Sequence, residues 1–118
     1  MSKKLFAGVL VTAALGAGAG SASAALSEVP RGYVGVFKNA DYNGLLGYRS
    51  GGQDVKNMSA VANDEMSSWT NKTSYAGAWY VDVNGGGNCY TMNSWTDNRY
   101  VGSWFNDKAS SWRTNGAC

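Results

Sequence analysis

Histidine is missing from the 118 residues of the chain. It is the usual general base at neutral pH and a common nitrogen ligand of metal ions, and no nucleophile motif takes its place. The carboxylates of Asp82 and Asp97 would serve a glycosidase only if the fold brought them together, which their spacing does not require. We therefore expect a protein that is not an enzyme.

Long apolar runs are absent apart from residues 5–15. This run is preceded by Lys3 and Lys4, is too short to span a bilayer, and leads into small residues that end at Ala24. The combination is typical of a secretory signal peptide. We expect residues 1–24 to be removed as a signal peptide and residues 25–118 to form a single secreted, extracellular domain without a membrane anchor.

Charged residues are few and scattered. Without Lys3 and Lys4, eight Lys and Arg remain against eight Asp and Glu, and the basic residues do not cluster along the sequence. A basic patch is the electrostatic signature of proteins that bind nucleic acids or anionic membranes. We expect neither partner, and we expect the domain to be a monomer.

Cysteine occurs only twice, as Cys89 and Cys118, both beyond the predicted signal peptide. In an oxidising exterior such a pair is expected to form a disulfide, here one that fixes the C-terminus to the body of the domain. A closed loop of about thirty residues stabilises a fold by roughly 3–4 kcal/mol in the loop-entropy treatment. The alternative is two free thiols.

Helical periodicity is absent beyond the signal peptide. Short aromatic and β-branched runs alternate instead with clusters of Gly, Asn, Asp and Ser, which is the pattern of an all-β domain with many turns. The pattern predicts strands at residues 32–37, 45–48, 66–70, 78–83, 89–92, 100–104 and 109–113.

An internal repeat appears when the sequence is shifted against itself by 43 positions. Residues 63–69 then align with residues 106–112, and five of the seven positions are identical. We place the first repeat at about residues 32–74 and the second at about residues 75–118. A unit of this size cannot bury its apolar face alone, so the two copies are expected to pack sheet on sheet around one core.

Two motifs in each half resemble those of the βγ-crystallin superfamily. The first is an aromatic hairpin, formed here by Phe37, Tyr42 and Gly44, although Gly85 replaces the second aromatic residue in the other half. The second is the calcium signature of that superfamily, matched by residues 63–68 and 106–111. The resemblance implies an all-β fold in which two Greek-key motifs form a βγ-crystallin-like β-sandwich.

Within that superfamily the chain is most similar to the secreted actinobacterial metalloproteinase inhibitors. The similarity lies in the export signal, the endings of both halves, the following Asn71, the turn at residues 87–90 and the short tail that ends in cysteine. It implies an inhibitor of extracellular proteases, with residues 71–76 or the segment near Cys89 as candidate inhibitory loops. Relatives carry further cysteines in the first half, where this chain has Gly35, so one bridge of the family is missing.

The resemblance also implies up to two calcium ions between the paired signatures. Hard cations take six to eight oxygen ligands, and the signatures supply carboxylates, hydroxyls and main-chain oxygens. Few charges contribute, which suits dissociation constants on the order of 10⁻⁵ to 10⁻³ M. The alternative is a purely structural turn, since Asn, Asp and Ser also cap turns, and Lys108 weakens the second site if it folds over the ion. The candidate ligand positions are Asp64, Glu65, Ser67, Asp107, Lys108 and Ser110.

Tryptophan is abundant, with five residues. Trp69 and Trp112 occupy equivalent positions of the two repeats, which favours a core role over a carbohydrate-binding platform. The other three are less constrained, and an exposed patch among them would mark a binding face. Two functions remain open: a calcium-binding protease inhibitor, or a calcium-stabilised extracellular binding, stress or toxin-like protein that inhibits no protease.

Overall fold

Residues 26–118 are described by a computed structural model of the chain, and the predicted signal peptide at residues 1–24 lies outside them. The regular structure is mainly extended, and no helix within this part of the chain has the length and hydropathy of a membrane span. The strands are β1 (Tyr33–Asn39), β2 (Asn43–Ser50), β3 (Lys56–Asn57), β4 (Ser68–Asn71), β5 (Gly77–Tyr80), β6 (Cys89–Met92), β7 (Thr96–Asn98) and β8 (Ser111–Arg113). Short 3₁₀ segments, Ala40–Tyr42 and Val83–Gly85, lie in the β1–β2 and β5–β6 connections.

The strands form two antiparallel sheets of four. One sheet has the order β2-β1-β4-β7 and the other has the order β3-β8-β5-β6. Each sheet therefore holds three strands of one half of the chain and one strand of the other half. This exchange of β3 and β7 binds the two halves together, and it confirms the expected all-β architecture of two packed sheets.

The exchanged strands are the ones that the sequence pattern missed. Lys56–Asn57 and Thr96–Asn98 are two and three residues long and largely exposed, so neither carries an alternating apolar pattern. The predicted strand at residues 100–104 is wrong, because this stretch is irregular and Trp104 is 82% exposed. An aromatic run suggests a strand only where its side chains are buried on one face.

The core lies between the two sheets. Val36 is opposite Trp69 in one sheet, and Trp79 is opposite Trp112 at the corresponding place in the other. Trp69 and Trp112 are both buried, as the repeat predicted. The main cluster of buried apolar residues also includes Val34, Met58, Ala62, Met66, Met92 and Ala109.

A second, smaller cluster lies on the other face of β1. Val29 and Phe37 are buried there against Tyr33, Tyr42 and Leu45. At Gly35 a Cβ atom would come within 2.2 Å of a Val29 methyl group, so the absence of a side chain lets the N-terminal segment pack directly on the strand. Where the family resemblance expects a cysteine, this chain thus uses close apolar packing.

The predicted disulfide is present between Cys89 and Cys118, whose Cα atoms are 5.7 Å apart. It joins the last residue of the chain to the first residue of β6. The backbone amide of Cys118 also donates a hydrogen bond to the hydroxyl of Thr91 at 3.2 Å. The C-terminal tail is therefore fixed along the edge of the second sheet.

Candidate functional site

The two segments that match the calcium signature form equivalent bends, residues 63–68 and residues 106–111. Each bend has a left-handed residue at its second position, with φ of 58° at Asp64 and 60° at Asp107. Aspartate tolerates this conformation better than most residues because its short side chain can accept hydrogen bonds from nearby backbone groups. The last residue of each bend is the first residue of β4 or β8, so the sheets fix where each bend ends.

Backbone hydrogen bonds hold the two bends side by side. The amide of Asp64 donates to the carbonyl of Ala109 at 2.8 Å, and the amide of Asp107 donates to the carbonyl of Met66 at 3.0 Å. The two bonds are related by the 43-residue offset of the sequence. The bends therefore meet across the boundary between the halves, as the superfamily resemblance implies.

Side-chain oxygens of the two bends come together in two pairs. The Ser110 hydroxyl donates to the Asp64 carboxylate at 3.1 Å. The Ser67 hydroxyl donates to the side-chain oxygen of Asn106, and not to Asp107, which is the counterpart of Asp64. One pair therefore contains a carboxylate and the other contains an amide, so the bends are equivalent in backbone while the two oxygen pairs differ in charge.

The remaining candidate positions, Glu65 and Lys108, are less closely involved. Glu65 lies beside the first bend, and its carboxylate is 3.9 Å from the Lys38 ammonium in a largely exposed ion pair. Lys108 is exposed on the second bend. Asn106 is a candidate position that the sequence analysis missed, although it is the first residue of the second signature and could have been included on that ground.

The donor chemistry of the bends fits a hard cation of modest affinity. Each pair places a buried serine hydroxyl of one half beside a carboxylate or amide oxygen of the other. Within residues 26–118 no cluster of three or more His, Cys, Asp or Glu side chains has the arrangement of a metal site. A cation here would therefore depend largely on neutral oxygens, from side chains, main-chain carbonyls and water.

Ser68, the residue after Ser67, has a structural role. Its hydroxyl donates to the carbonyl of Asn39 at 2.7 Å and accepts from the amide of Tyr42 at 3.1 Å, so it closes the β1–β2 hairpin over the bend. Ser68 is completely buried. Burial and the nearby Asp97 carboxylate raise the pKa of Tyr42.

Ser111 repeats this arrangement in the second half. Its hydroxyl donates to the carbonyl of Asp82 at 2.6 Å and accepts from the amide of Gly85 at 2.9 Å. The β5–β6 hairpin thus keeps the backbone contacts of the first hairpin even though Gly85 replaces its second aromatic residue. What it loses is the edge-to-face contact that Phe37 and Tyr42 make at 5.8 Å.

The candidate inhibitory loop at residues 71–76 is held by the buried side chain of Asn71. Its amide nitrogen donates to the carbonyls of Tyr75 and Met92 at 2.9 and 2.8 Å, and its oxygen accepts from the amide and hydroxyl of Thr73. These hydrogen bonds tie the loop to the ends of β4 and β6. Its exposed residues are Ser74 and Tyr75, and Tyr75 is 51% exposed.

Tyr75 belongs to a surface at the end of the sandwich away from the bends. β4 runs from Ser68, beside the first bend, to Asn71, where this loop begins. Around the loop lies a groove of about 450 Å³ that Arg31 and Trp95 also line. We call Arg31, Tyr75 and Trp95 the aromatic surface.

The fold defines the general class of the protein. The chain is similar to a βγ-crystallin domain from Flavobacterium johnsoniae, with 29% identity and a TM-score of 0.56 over 72% of this chain and 98% of that one. It is also similar to a βγ-crystallin domain from Clostridium beijerinckii, with 25% identity and a TM-score of 0.54 over 68% and 93% of the two chains. A βγ-crystallin from Ciona intestinalis, 19% identical, matches in fold with a TM-score of 0.59 over 71% of this chain and all of that one. The predicted βγ-crystallin-like fold is confirmed.

The sequence also identifies a family, which is a narrower group than the proteins that share this fold. The peptidase inhibitor family I36 matches residues 22–92, which is more than half of the chain, and the chain belongs to this family. Membership implies a protease as partner in general and indicates a non-enzymatic protein. A search of curated protein sequences finds no match.

Proposed function

We propose that the domain at residues 25–118 is exported and inhibits an extracellular protease without catalysing a reaction itself. Membership of the peptidase inhibitor family carries this proposal. A rigid scaffold supports it, because a loop fixed before binding loses little conformational entropy when it enters a protease cleft. The Asn71 network and the Cys89–Cys118 disulfide supply that rigidity on the two candidate loops.

The test is inhibition of purified proteases by the mature protein. We expect loss of activity at micromolar or lower protein concentration against at least one metalloprotease, measured with a chromogenic peptide substrate. A panel of metallo- and serine proteases that all keep full activity at that concentration would contradict the proposal. The reduced and alkylated protein serves as control, since it lacks the disulfide but has the same sequence.

We further propose that the paired bends bind up to two calcium ions. Asp64 and Asp107 would provide carboxylates, Ser67 and Ser110 hydroxyls, and the segments at Glu65 and Lys108 main-chain oxygens. The hydroxyl–carboxylate contact between Ser110 and Asp64 favours this function, because it brings two oxygens of different halves to one place. If the protein inhibits no protease, calcium-stabilised binding outside the cell becomes the preferred function.

Thermal unfolding with calcium and with chelator tests the cation site. Ligand at a hundredfold excess over its dissociation constant stabilises the native state by about 2.7 kcal/mol. For a domain of this size this is on the order of ten degrees in Tm. Identical melting curves would leave the bends a purely structural role.

A further inference from the structure

Trp95 occupies a backbone conformation that disfavours its side chain. It has φ of 57°, in the left-handed region where bulky residues are uncommon. The position 43 residues earlier is Gly52, which has φ of 85° and no side chain to strain. The second half therefore carries a tryptophan where the first half uses the residue that the backbone prefers, which points to a role for the side chain.

The turn that carries Trp95 is anchored at both ends. Before it, the Met92 carbonyl accepts from the buried Asn71 amide at 2.8 Å. After it, the Thr96 hydroxyl donates to the Asn93 carbonyl at 2.7 Å, and Thr96 begins β7, which pairs with β4. The Trp95 side chain is nevertheless 52% exposed. The backbone that carries this large apolar side chain is thus anchored on both sides, while the side chain is half exposed to solvent.

The surroundings of Trp95 have the composition of a protein-binding site. The Arg31 guanidinium lies 4.9 Å from the centroid of the Trp95 ring, and Tyr75 borders the same groove. Trp, Tyr and Arg are the residues that most often dominate binding energy at interfaces. Arg31 is the one charged residue among the described residues that line the groove, and both ion pairs found within residues 26–118 lie elsewhere.

We infer that the aromatic surface is where this protein contacts its target protease. Trp95 enters an apolar pocket of the enzyme, and Arg31 faces a carboxylate at the rim of that pocket. The single uncompensated positive charge argues for an acidic partner group. A sugar would stack on a face of the Trp95 ring, and the Arg31 guanidinium already covers one of the two faces, so a protein partner fits better than a carbohydrate. This inference rests on the proposed inhibitory function.

Replacement of Trp95 by glycine tests the inference without straining the fold, because Gly52 already adopts the same backbone region. We expect W95G to raise the inhibition constant about 30-fold or more, as for a central interface tryptophan, with Tm unchanged or higher. The matched control is W104A, which removes the other largely exposed tryptophan and should leave the inhibition constant within about twofold. R31E should weaken inhibition about tenfold, and less at high salt.

The outcomes distinguish the inference about the aromatic surface from the proposed inhibitory function. If the wild-type protein inhibits and W95G inhibits equally well, the inference is wrong and the proposed function stands. If the wild-type protein inhibits no protease, both are wrong. Retention of the wild-type protein on cellulose or chitin, lost in W95G while inhibition is unchanged, would assign the aromatic surface to carbohydrate and also overturn the inference.

Discussion

The Ser110 hydroxyl donates a hydrogen bond of 3.1 Å to the Asp64 carboxylate, which joins a buried side chain of one half to a bend of the other. The corresponding bond in the other direction runs from Ser67 to Asn106 and leaves the Asp107 carboxylate out. The two candidate cation sites therefore have the same backbone, but only Asp64 already contacts a proposed hydroxyl ligand of the other half. Since the Asp107 carboxylate would have to replace Asn106 beside Ser67 before it could bind a cation there, the two sites are expected to bind calcium unequally.

Substitution of Asp64 by asparagine tests this inequality. D64N keeps an oxygen that accepts from Ser110 and removes one negative charge, so calcium affinity at that site should fall about tenfold, with little change in the stability of the metal-free protein. D107N is the matched variant and should have a smaller effect. Isothermal titration calorimetry measures both, and equal losses in the two variants would contradict unequal sites.

Ser68 and Ser111 should be important for stability whether or not calcium binds. S68A removes two hydrogen bonds of the β1–β2 hairpin and leaves two partly buried backbone groups without that partner, at a cost of about 2 kcal/mol in the free energy of unfolding. S111A should cost a similar amount because its two bonds are equivalent. Urea unfolding measures both, with S103A on an exposed turn as control. A change below about 0.5 kcal/mol in either buried variant would contradict the assigned role.

The sequence predicts the structure best at positions that recur in both repeats. The shift of 43 positions was sufficient to predict that Trp69 and Trp112 are buried, because equivalent positions of packed halves share an environment. The superfamily resemblance likewise predicted that the two signature segments lie side by side. By contrast, β3 and β7 are short, polar and defined by pairing with the other half, so no local pattern indicates them.

The aromatic surface could not be predicted from the sequence alone. Trp95 and Trp104 are both largely exposed, and only the positive φ of Trp95 and its neighbours distinguish them. Arg31 and Tyr75 are 44 residues apart along the chain, and the fold brings them to one groove. The partner of Ser67 likewise required coordinates, since Asn106 and Asp107 are adjacent and both carry suitable oxygens.

Gly35 should be intolerant of a side chain. A Cβ atom would lie 2.2 Å from a methyl group of Val29, which is buried and stiff, so G35A should lower the free energy of unfolding by about 1–3 kcal/mol. G47A is the control, because no atom lies within 4 Å of a Cβ there. In a double-mutant cycle by urea unfolding, V29A should relieve part of the loss. Strict additivity of G35A and V29A would show that the two positions are not in contact.

The Cys89–Cys118 disulfide should contribute stability mainly through the unfolded chain. Its residues are separated by 29 positions, so loop-entropy arithmetic predicts a loss of about 3–4 kcal/mol when it is removed. The double variant C89S/C118S avoids a free thiol. Its urea midpoint should fall and the slope of its free energy against urea concentration should rise, because the unlinked unfolded chain exposes more surface. An unchanged midpoint would mean that the tail bridge has no role in stability.

We propose that the domain at residues 25–118 inhibits a protease by binding it and is not simply degraded by it. The direct test is to titrate a metalloprotease whose concentration of active sites is known with the domain at residues 25–118. Mass spectrometry of the domain at the end point shows whether it has been cleaved. We predict that activity falls linearly to a one-to-one equivalence and that the domain is recovered intact. Undiminished protease activity, or steady fragmentation of the domain while the enzyme stays active, would contradict the claim.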